Sequence, residues 1–95
     1  MFTGLVEEIG TVGEVRRNGM YQLLTIQAAR VVEDLCLGDS ISIDGACQTV
    51  TGVGRDNFRV ETLQASLEKT TLGTYRRGRP VNLERALTPD RRMGG

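Results

Sequence analysis

Short stretches in which apolar and polar residues alternate recur along the chain, and turns rich in glycine or polar residues separate them. Alternation with a period of two residues is typical of β-strands that bury one face. We therefore predict strands at residues 3–15, 20–28, 40–43, 46–53 and 58–63, and a last strand that opens at 78–80. The predicted inward-facing pairs are Leu24 with Ile26, Ile41 with Ile43, Phe58 with Val60, and Val81 with Leu83, the last opposite Asn82 and Glu84.

Two dipeptides predict tight hairpin turns between these strands. Asn18-Gly19 and Asp44-Gly45 both tolerate the positive φ angles that two-residue hairpin loops require. Asp56-Asn57 predicts a further turn. Gly10 and Gly13 interrupt the first strand, and glycine in a strand typically marks a bend or a bulge.

Two segments have helical spacing instead. Residues 29–35 carry apolar side chains at i, i+1 and i+4, which predicts a short helix packed on the sheet. Residues 65–71 predict a second short helix or turn, with Ser66 available to cap its first turn. Many short strands with tight turns and one or two short helices are typical of an all-β barrel or sandwich.

Composition narrows the class of protein. The chain has 95 residues, with 12 basic and 12 acidic side chains. This length fits one domain, and the balanced charge argues against a nucleic-acid-binding module. No apolar run approaches the roughly 20 residues of a membrane-spanning helix, and the N-terminus lacks the pattern of a secretory signal. We therefore expect a cytoplasmic protein with no nucleic-acid or membrane partner.

Histidine is absent, and cysteine occurs twice, at Cys36 and Cys47. The absence of histidine removes the commonest general base and the commonest zinc ligand. Two cysteines without C-x-x-C spacing or an export signal are expected to be free thiols, and they are too few for a zinc site. We expect no bound metal.

The residues taken alone indicate little specific chemistry. Arg76, Arg77 and Arg79 form a basic cluster, which we interpret as a solvated loop rather than a phosphate site. In residues 44–49 the side chains of Cys47 and Thr49 lie on the same side of a predicted strand and could contact a planar heterocycle. The residues alone favour the alternative, in which Cys47 is a small core residue and Thr49 simply a good strand former.

Four blocks of the chain resemble the N-terminal repeat of the riboflavin synthase family, whose repeats bind lumazine. They are residues 1–8 (MFTGLVEE), 37–51 (LGDSISIDGACQTVT, similar to the family hallmark GDSVAVNGVCLTVT), 70–73 (TTLG) and 78–87 (GRPVNLERAL). The blocks occur in the family order and spacing over almost the whole chain. The resemblance implies a six-stranded Greek-key closed β-barrel at residues 1–87, with 88–95 as a linker or truncated junction to a missing second barrel.

The resemblance also implies an activity. Members of the family convert two molecules of 6,7-dimethyl-8-ribityllumazine into riboflavin and a ribitylamino-pyrimidinedione, without a cofactor. The full enzyme carries two barrels per chain and is a homotrimer, whereas a single barrel is expected to bind lumazine or riboflavin with little turnover and to self-associate. The alternative is a lumazine- or flavin-binding module of the antenna type, which holds its chromophore without converting it. If the chain is the N-terminal barrel of such an enzyme, the lack of histidine is expected to reflect truncation. The family places a histidine just after the junction at residues 88–95.

Carried over residue by residue, the resemblance places a site on three stretches. The implied reaction-centre residues are Phe2, Thr3 and Cys47. The implied substrate-binding residues are Gly4, Leu5, Val6, Cys47, Gln48, Thr49, Glu61, Thr62, Leu63, Gln64, Ala65 and Ser66. Gln48 replaces the usual leucine and is expected to affect packing more than binding, since it points to the other face from Cys47. Ala65 replaces a common glutamate, which argues against an acidic catalytic residue there.

Overall fold

The computed structural model describes residues 2–63 and 71–87, and these form a closed antiparallel barrel with the strand order β1-β2-β5-β4-β3-β6. The strands are β1 (Glu8–Asn18), β2 (Tyr21–Gln27), β3 (Ser40–Ile43), β4 (Ala46–Val53), β5 (Asn57–Leu63) and β6 (Pro80–Arg85). Strands β3, β4 and β5 form a meander, and β2 lies beside β5 although it precedes β3 in sequence. This arrangement is a Greek key, so the implied six-stranded Greek-key barrel is confirmed.

The barrel interior is filled by the inward faces that the alternation predicts. All four predicted pairs are buried, and Leu24, Ile26, Ile41 and Ile43 have no exposed surface. Side chains that alternate along every strand bring one apolar face to the interior of a small barrel, where they pack without leaving a channel. The remaining core residues are Val12, Ala28, Val31, Val32, Leu35, Val50, Phe58, Val60, Tyr75, Val81 and Leu83.

The predicted hairpins form, with one shift in detail. Asp44 and Gly45 both adopt positive φ, at 50° and 89°, between the paired residues Ile43 and Ala46. In the first hairpin Asn18 ends β1, and the turn residues are Gly19 and Met20. Only Gly19 is left-handed, with a φ of 59°, whereas we expected positive φ at both Asn18 and Gly19.

One of the two predicted irregularities of the first strand is present as a break in register, at Gly13, whereas Gly10 keeps regular pairing with Val81. The β1–β2 register shifts between Val12 and Glu14, so Gly13 lies in a bulge. Gly10 is buried where β1 crosses close to its neighbours, and a Cβ atom there would lie 2.7 Å from the Gln27 carbonyl oxygen. Glycine at these two positions lets the long strand bend around the barrel.

The first strand begins at Glu8 rather than at residue 3. The alternation at the start of the predicted strand is imperfect, and the backbone amides of Thr3 and Gly4 bond to the carboxylate of Glu84 instead of to a neighbouring strand. The segment therefore lies across the outside of the barrel.

The helix predicted at 29–35 is wrong. Residues 31–34 form hydrogen-bonded turns, and the Glu33 amide bonds to the Arg30 carbonyl three residues back. The apolar stripe at Val31, Val32 and Leu35 is nevertheless buried and closes one end of the core. A side-chain carboxylate, that of Glu8, accepts the amide hydrogens at the start of this segment and holds it as a turn.

The second predicted helix, at 65–71, falls mostly on residues 64–70, which lie outside the described part of the chain. A single 3-10 helix, Thr71–Thr74, follows directly after it. Residues 88–95 also lie outside the described part, so their assignment as a linker stays a prediction.

Candidate functional site

An outward-facing row of residues crosses three neighbouring strands. Cys47 of β4 is directly opposite Ser42 of β3, and Ser42 is directly opposite Glu84 of β6. Because paired strands lie about 4.8 Å apart, this row extends roughly 10 Å across the barrel surface. We call the outer surface of β4, β3 and β6, together with the N-terminal residues 3–6 that cross it, the site face.

Glu84 attaches the N-terminal segment to the site face. Its carboxylate accepts hydrogen bonds from the Thr3 amide at 2.6 Å, the Thr3 hydroxyl at 2.7 Å and the Gly4 amide at 3.0 Å. The Thr3 hydroxyl and these two amides lower the pKa of Glu84, against smaller opposing effects of burial and of the Glu7 charge. Glu84 is therefore a carboxylate that fixes the position of Thr3 and Gly4.

Beside Cys47 the barrel wall has a seam. The ladder between β4 and β5 pairs Val50, Gly52 and Val53 with Val60, Arg59 and Phe58, and a bulge lies between Val50 and Gly52. No ladder pair is recorded, within the described strands, between residues 46–49 of β4 and residues 61–63 of β5. We call the boundary between these two stretches the seam.

Backbone groups of β4 point into the seam. Val50 directs both of its backbone groups the other way, because its carbonyl accepts from Gly38 at 2.9 Å and its amide donates to Asp39 at 2.8 Å. Backbone groups alternate in direction along a strand, so those of Cys47 and Thr49 point toward β5. A planar molecule with donors and acceptors along its edge could pair with such groups as a strand would.

The inward face of the seam carries a polar pair. The Thr62 hydroxyl donates to the Gln48 amide oxygen at 2.6 Å, and the Gln48 amide nitrogen donates to the Cys47 carbonyl at 2.8 Å. Both side chains are buried. Neither side chain is therefore available to a ligand on the outer face, and Gln48 points to the opposite face from Cys47, as expected.

Most of the other implied site residues lie on the outside. Four of them are exposed along the two sides of the seam: Cys47, Thr49, Glu61 and Leu63. Residues 3–6 of the N-terminal segment are also exposed, and Phe2 is half-buried. Cys47 is therefore not a core residue, although the residues alone favoured that interpretation. Neither Cys36 nor Cys47 forms a disulfide, as expected, and both are exposed. Gln64, Ala65 and Ser66 lie outside the described residues.

A groove of about 950 Å³ runs beside the N-terminal segment. Its walls include Phe2, Thr3, Val6 and Ile9 on one side and Ser42 and Asn82 on the other. Leu5, Val6 and Ile9 expose 72%, 53% and 67% of their surface, which is unusual for adjacent large apolar residues on an isolated domain.

Sequence reasoning missed two carboxylates that shape this region. Glu84 was predicted only to face outward, which it does while being buried beneath residues 3 and 4. Asp44, predicted as a turn residue, accepts hydrogen bonds from the Asn82 amide at 2.7 Å and from the Tyr75 hydroxyl. Asn82 and Tyr75 are 38 and 31 residues away from Asp44 in sequence. The partners of Glu84 are 80 or 81 residues away, so no local spacing could have indicated these roles.

A second groove, of about 1070 Å³, lies elsewhere on the barrel and is lined partly by Arg17, Arg76 and Arg77. None of the implied site residues contributes to it. Among the described residues no group of three or more Cys, Asp or Glu side chains could hold a metal ion. No helix in the part of the chain that the structure describes is long and apolar enough to cross a membrane.

Comparison with known proteins identifies the family. The sequence profile of the family described as "Lumazine binding domain" matches residues 3–86. The chain belongs to the lumazine-binding domain family. The resemblance stated from the four sequence blocks is confirmed, and the matched region contains the site face and the seam.

The relatives of this domain include riboflavin synthases. That of Bacillus amyloliquefaciens is 43% identical over 95 residues, which are all of this chain and 44% of the relative. That of Schizosaccharomyces pombe is 46% identical over 98 residues, covering all of this chain and 46% of the relative. The domain thus spans a little under half the length of these proteins and is homologous to their N-terminal half.

Solved structures confirm the fold of the domain. LumP complexed with riboflavin superposes with a TM-score of 0.84 at 22% identity, covering 90% of this chain and 47% of LumP. LumP complexed with 6,7-dimethyl-8-(1'-D-ribityl) lumazine gives 0.84 at 24% identity, covering 93% of this chain and 49% of LumP.

Proposed function

We propose that this domain binds 6,7-dimethyl-8-ribityllumazine, or riboflavin, at the seam on its site face. The observation that carries the proposal is that the Cys47 amide and the amide and carbonyl of Thr49 point toward β5 where the described strands form no ladder. The edge of a pteridine ring presents acceptors and a donor in the plane of the ring, which can pair with strand backbone. The exposed side chain of Leu63 supplies apolar contact on the β5 side.

We propose further that the full-length protein is a riboflavin synthase. One lumazine transfers a four-carbon unit to the other, so that the donor becomes the pyrimidinedione and the acceptor becomes riboflavin, with no external oxidant or reductant. The 7-methyl group of lumazine is acidic because the ring stabilises the anion, so the main contribution of the protein is to hold two rings in contact. Hydrogen bonds to ring carbonyls stabilise the charge that develops, and the proposal requires no metal or organic cofactor.

Within this proposal Phe2, Thr3 and Cys47 lie nearest the reacting atoms. Thr3 is held by Glu84, and Cys47 lies two strands away in the same row. This arrangement supports a reaction centre between the N-terminal segment and β4, facing a second barrel that brings the other substrate.

Ligand fluorescence tests the binding proposal directly. Titrating the domain into lumazine or riboflavin is expected to change fluorescence intensity and anisotropy, with saturation at micromolar concentrations. Cys47→Trp introduces a bulky ring on the site face and is expected to weaken binding at least tenfold. Arg16→Trp is the matched control, because Arg16 is an exposed residue of β1 away from the site face. Equal affinity of the two variants would place the ligand elsewhere, and absence of binding to the unaltered domain would refute the proposal.

Turnover separates the enzyme from the antenna-type module. A lumazine-binding protein that only holds its chromophore would bind with similar affinity but form no riboflavin. The full-length protein incubated with lumazine is expected to release riboflavin, measured by its absorbance. Binding without turnover would favour the antenna-type module instead.

We also propose that the barrel works in a homo-oligomer in the cytoplasm. The exposed apolar side chains of Leu5, Val6 and Ile9 beside the groove support the oligomer, because a second barrel on this face would cover them. Two exposed free cysteines fit a reducing compartment. A trimer is expected for the full-length protein and a dimer for the single barrel.

A further inference from the structure

The interior side of the seam holds a buried pair of polar side chains beside the apolar core, and the fully buried Gln22 of β2 lies directly opposite Thr62. Gln48 is 8% exposed and Thr62 is 2% exposed. Gln48 lies directly opposite Ile41, which is fully buried. An amide or hydroxyl that is buried without a hydrogen bond destabilises a fold, so the bond between these two side chains lowers the cost of burying them.

The orientation of the Gln48 amide follows from its partners. Its nitrogen faces the Cys47 carbonyl oxygen at 2.8 Å, and its oxygen faces the Thr62 hydroxyl at 2.6 Å. Rotating the amide by 180° would set two acceptors, the amide oxygen and the Cys47 carbonyl, against each other. The chain of donors therefore runs in one direction, from Thr62 through Gln48 to the backbone of Cys47.

This chain of hydrogen bonds crosses the seam where the backbone ladder stops. The last ladder pair is Val50 with Val60, and continuing that register by two residues places Gln48 opposite Thr62. The side-chain bond is thus a connection between β4 and β5 at the level of residues 46–49. It lies on the inner face, so it leaves the outward edge of the seam free for a ligand.

We propose that Gln48, through its bond to Thr62, is a positioning residue for the seam. It fixes the separation of the two strand edges through side chains. The only seam backbone group that it engages is the Cys47 carbonyl, so that recognition of a ring edge falls to the Cys47 amide and to the amide and carbonyl of Thr49. This inference rests on the proposed binding of lumazine or riboflavin, and it adds residues that do not themselves touch the ligand.

A set of four variants distinguishes positioning from simple stabilisation. Gln48→Leu and Thr62→Val each leave one buried polar partner unpaired and are expected to lower both stability and affinity. The double variant Gln48→Leu/Thr62→Val replaces both side chains with apolar ones of similar size, so it leaves neither side chain of the pair unpaired and is expected to be more stable than either single variant. Affinity for riboflavin, measured by fluorescence, is expected to stay at least tenfold weaker in the double variant. Thr62→Ser keeps the hydroxyl and is expected to regain affinity that Thr62→Val loses.

The control is Val12→Ala, a core truncation in β1 far from the seam, which is expected to lower stability without changing affinity. Recovery of affinity together with stability in the double variant would overturn the inference, since the pair would then be merely structural. A ligand-free measurement separates this failure from failure of the proposed function. NMR relaxation dispersion is expected to show new μs–ms exchange at residues 46–49 and 61–63 in the double variant but not in Val12→Ala. Unchanged dispersion there would refute the positioning role even if the unaltered domain bound no flavin.

Discussion

Single residues show where sequence reasoning succeeds and where it stops. The opposite orientations of Gln48 and Cys47 followed from their neighbouring positions on one strand, because alternation is a local property, but which of the two faces inward did not. The partner of Gln48, the Thr62 hydroxyl, is 14 residues away and depends on which strands become neighbours. The same holds for Glu84, whose outward orientation was predictable and whose hydrogen bonds to Thr3 and Gly4 were not.

Acid should loosen the N-terminal segment through Glu84. The folded-state pKa of Glu84 lies below its usual value of 4.5, chiefly because of the Thr3 hydroxyl. Its contribution to stability is therefore fully present above about pH 4.5 and is lost as the pH falls through the lower, folded-state pKa. Urea midpoints measured from about pH 7 to about pH 3 should fall less steeply for Glu84→Gln than for the unaltered domain. A slope that Glu84→Gln leaves unchanged would contradict this prediction.

The two glycines of β1 should respond differently to alanine. A Cβ at Gly10 would lie 2.7 Å from the Gln27 backbone oxygen and 2.7 Å from Leu83, neither of which can move freely in the closed barrel. We expect Gly10→Ala to destabilise the fold by about 1–3 kcal/mol, the usual range for overpacking. A Cβ at Gly13 would meet only the flexible Gln27 side chain, at 3.3 Å. Gly13→Ala is therefore the matched control, and equal thermal midpoints for the two variants would be the contrary result.

At the scale of elements, strands were predictable and the segment at 29–35 was not. Both β3 and β4 have the predicted bounds, because each combines clean alternation with the Asp44-Gly45 turn. The apolar stripe at 29–35 indicated a helix, but a stripe shows only which side chains become buried. The decisive group is the Glu8 carboxylate, which accepts from the amides of Ala29, Arg30 and Val31. It lies 21 or more residues upstream, so local spacing could not indicate it.

Removing this carboxylate should weaken the turn. Burial would raise the pKa of Glu8, but the amides of residues 29–31 and the charge of Arg30 lower it, and the net shift is downward. We expect Glu8→Ala to destabilise the domain by about 1 kcal/mol at neutral pH, as typical for loss of a side chain that caps backbone amides. The difference between variant and unaltered domain should shrink as the pH falls from about 4.5 through the lower folded-state pKa, where the carboxylate becomes protonated. Glu14→Ala, an exposed carboxylate of the same strand, is the control in denaturant titrations.

At the scale of the whole molecule, the alternation of residues alone did not distinguish a closed barrel from a sandwich. The resemblance of four sequence blocks to a known family correctly predicted the closed barrel. Closure depends on β6, which pairs with both β1 and β3. Arg85, at the end of β6, adds ionic contacts with Glu7 at 2.8 Å and with Asp34. Composition and spacing contain no information on such contacts between distant parts of the chain.

Self-association should depend on the apolar residues beside the groove. Ile9→Glu places a charge among Leu5, Val6 and Ile9 and is expected to shift the domain toward monomer in sedimentation equilibrium. Met20→Glu is the control, because Met20 is equally apolar and 79% exposed but belongs to the β1–β2 turn. A single barrel that stays monomeric at high concentration before any substitution would contradict the proposed oligomer.

The pairing of β1 with β6 also bears on how quickly the barrel can form. Residues 8–11 meet residues 80–83, and the Glu84 carboxylate meets an amide 81 positions earlier. The chain must close a loop of nearly its full length before these contacts contribute, and folding slows as contacting residues become more distant in sequence. We therefore expect folding over milliseconds to seconds, the time range of other barrels dominated by distant pairings, with the junction of β1 and β6 formed last.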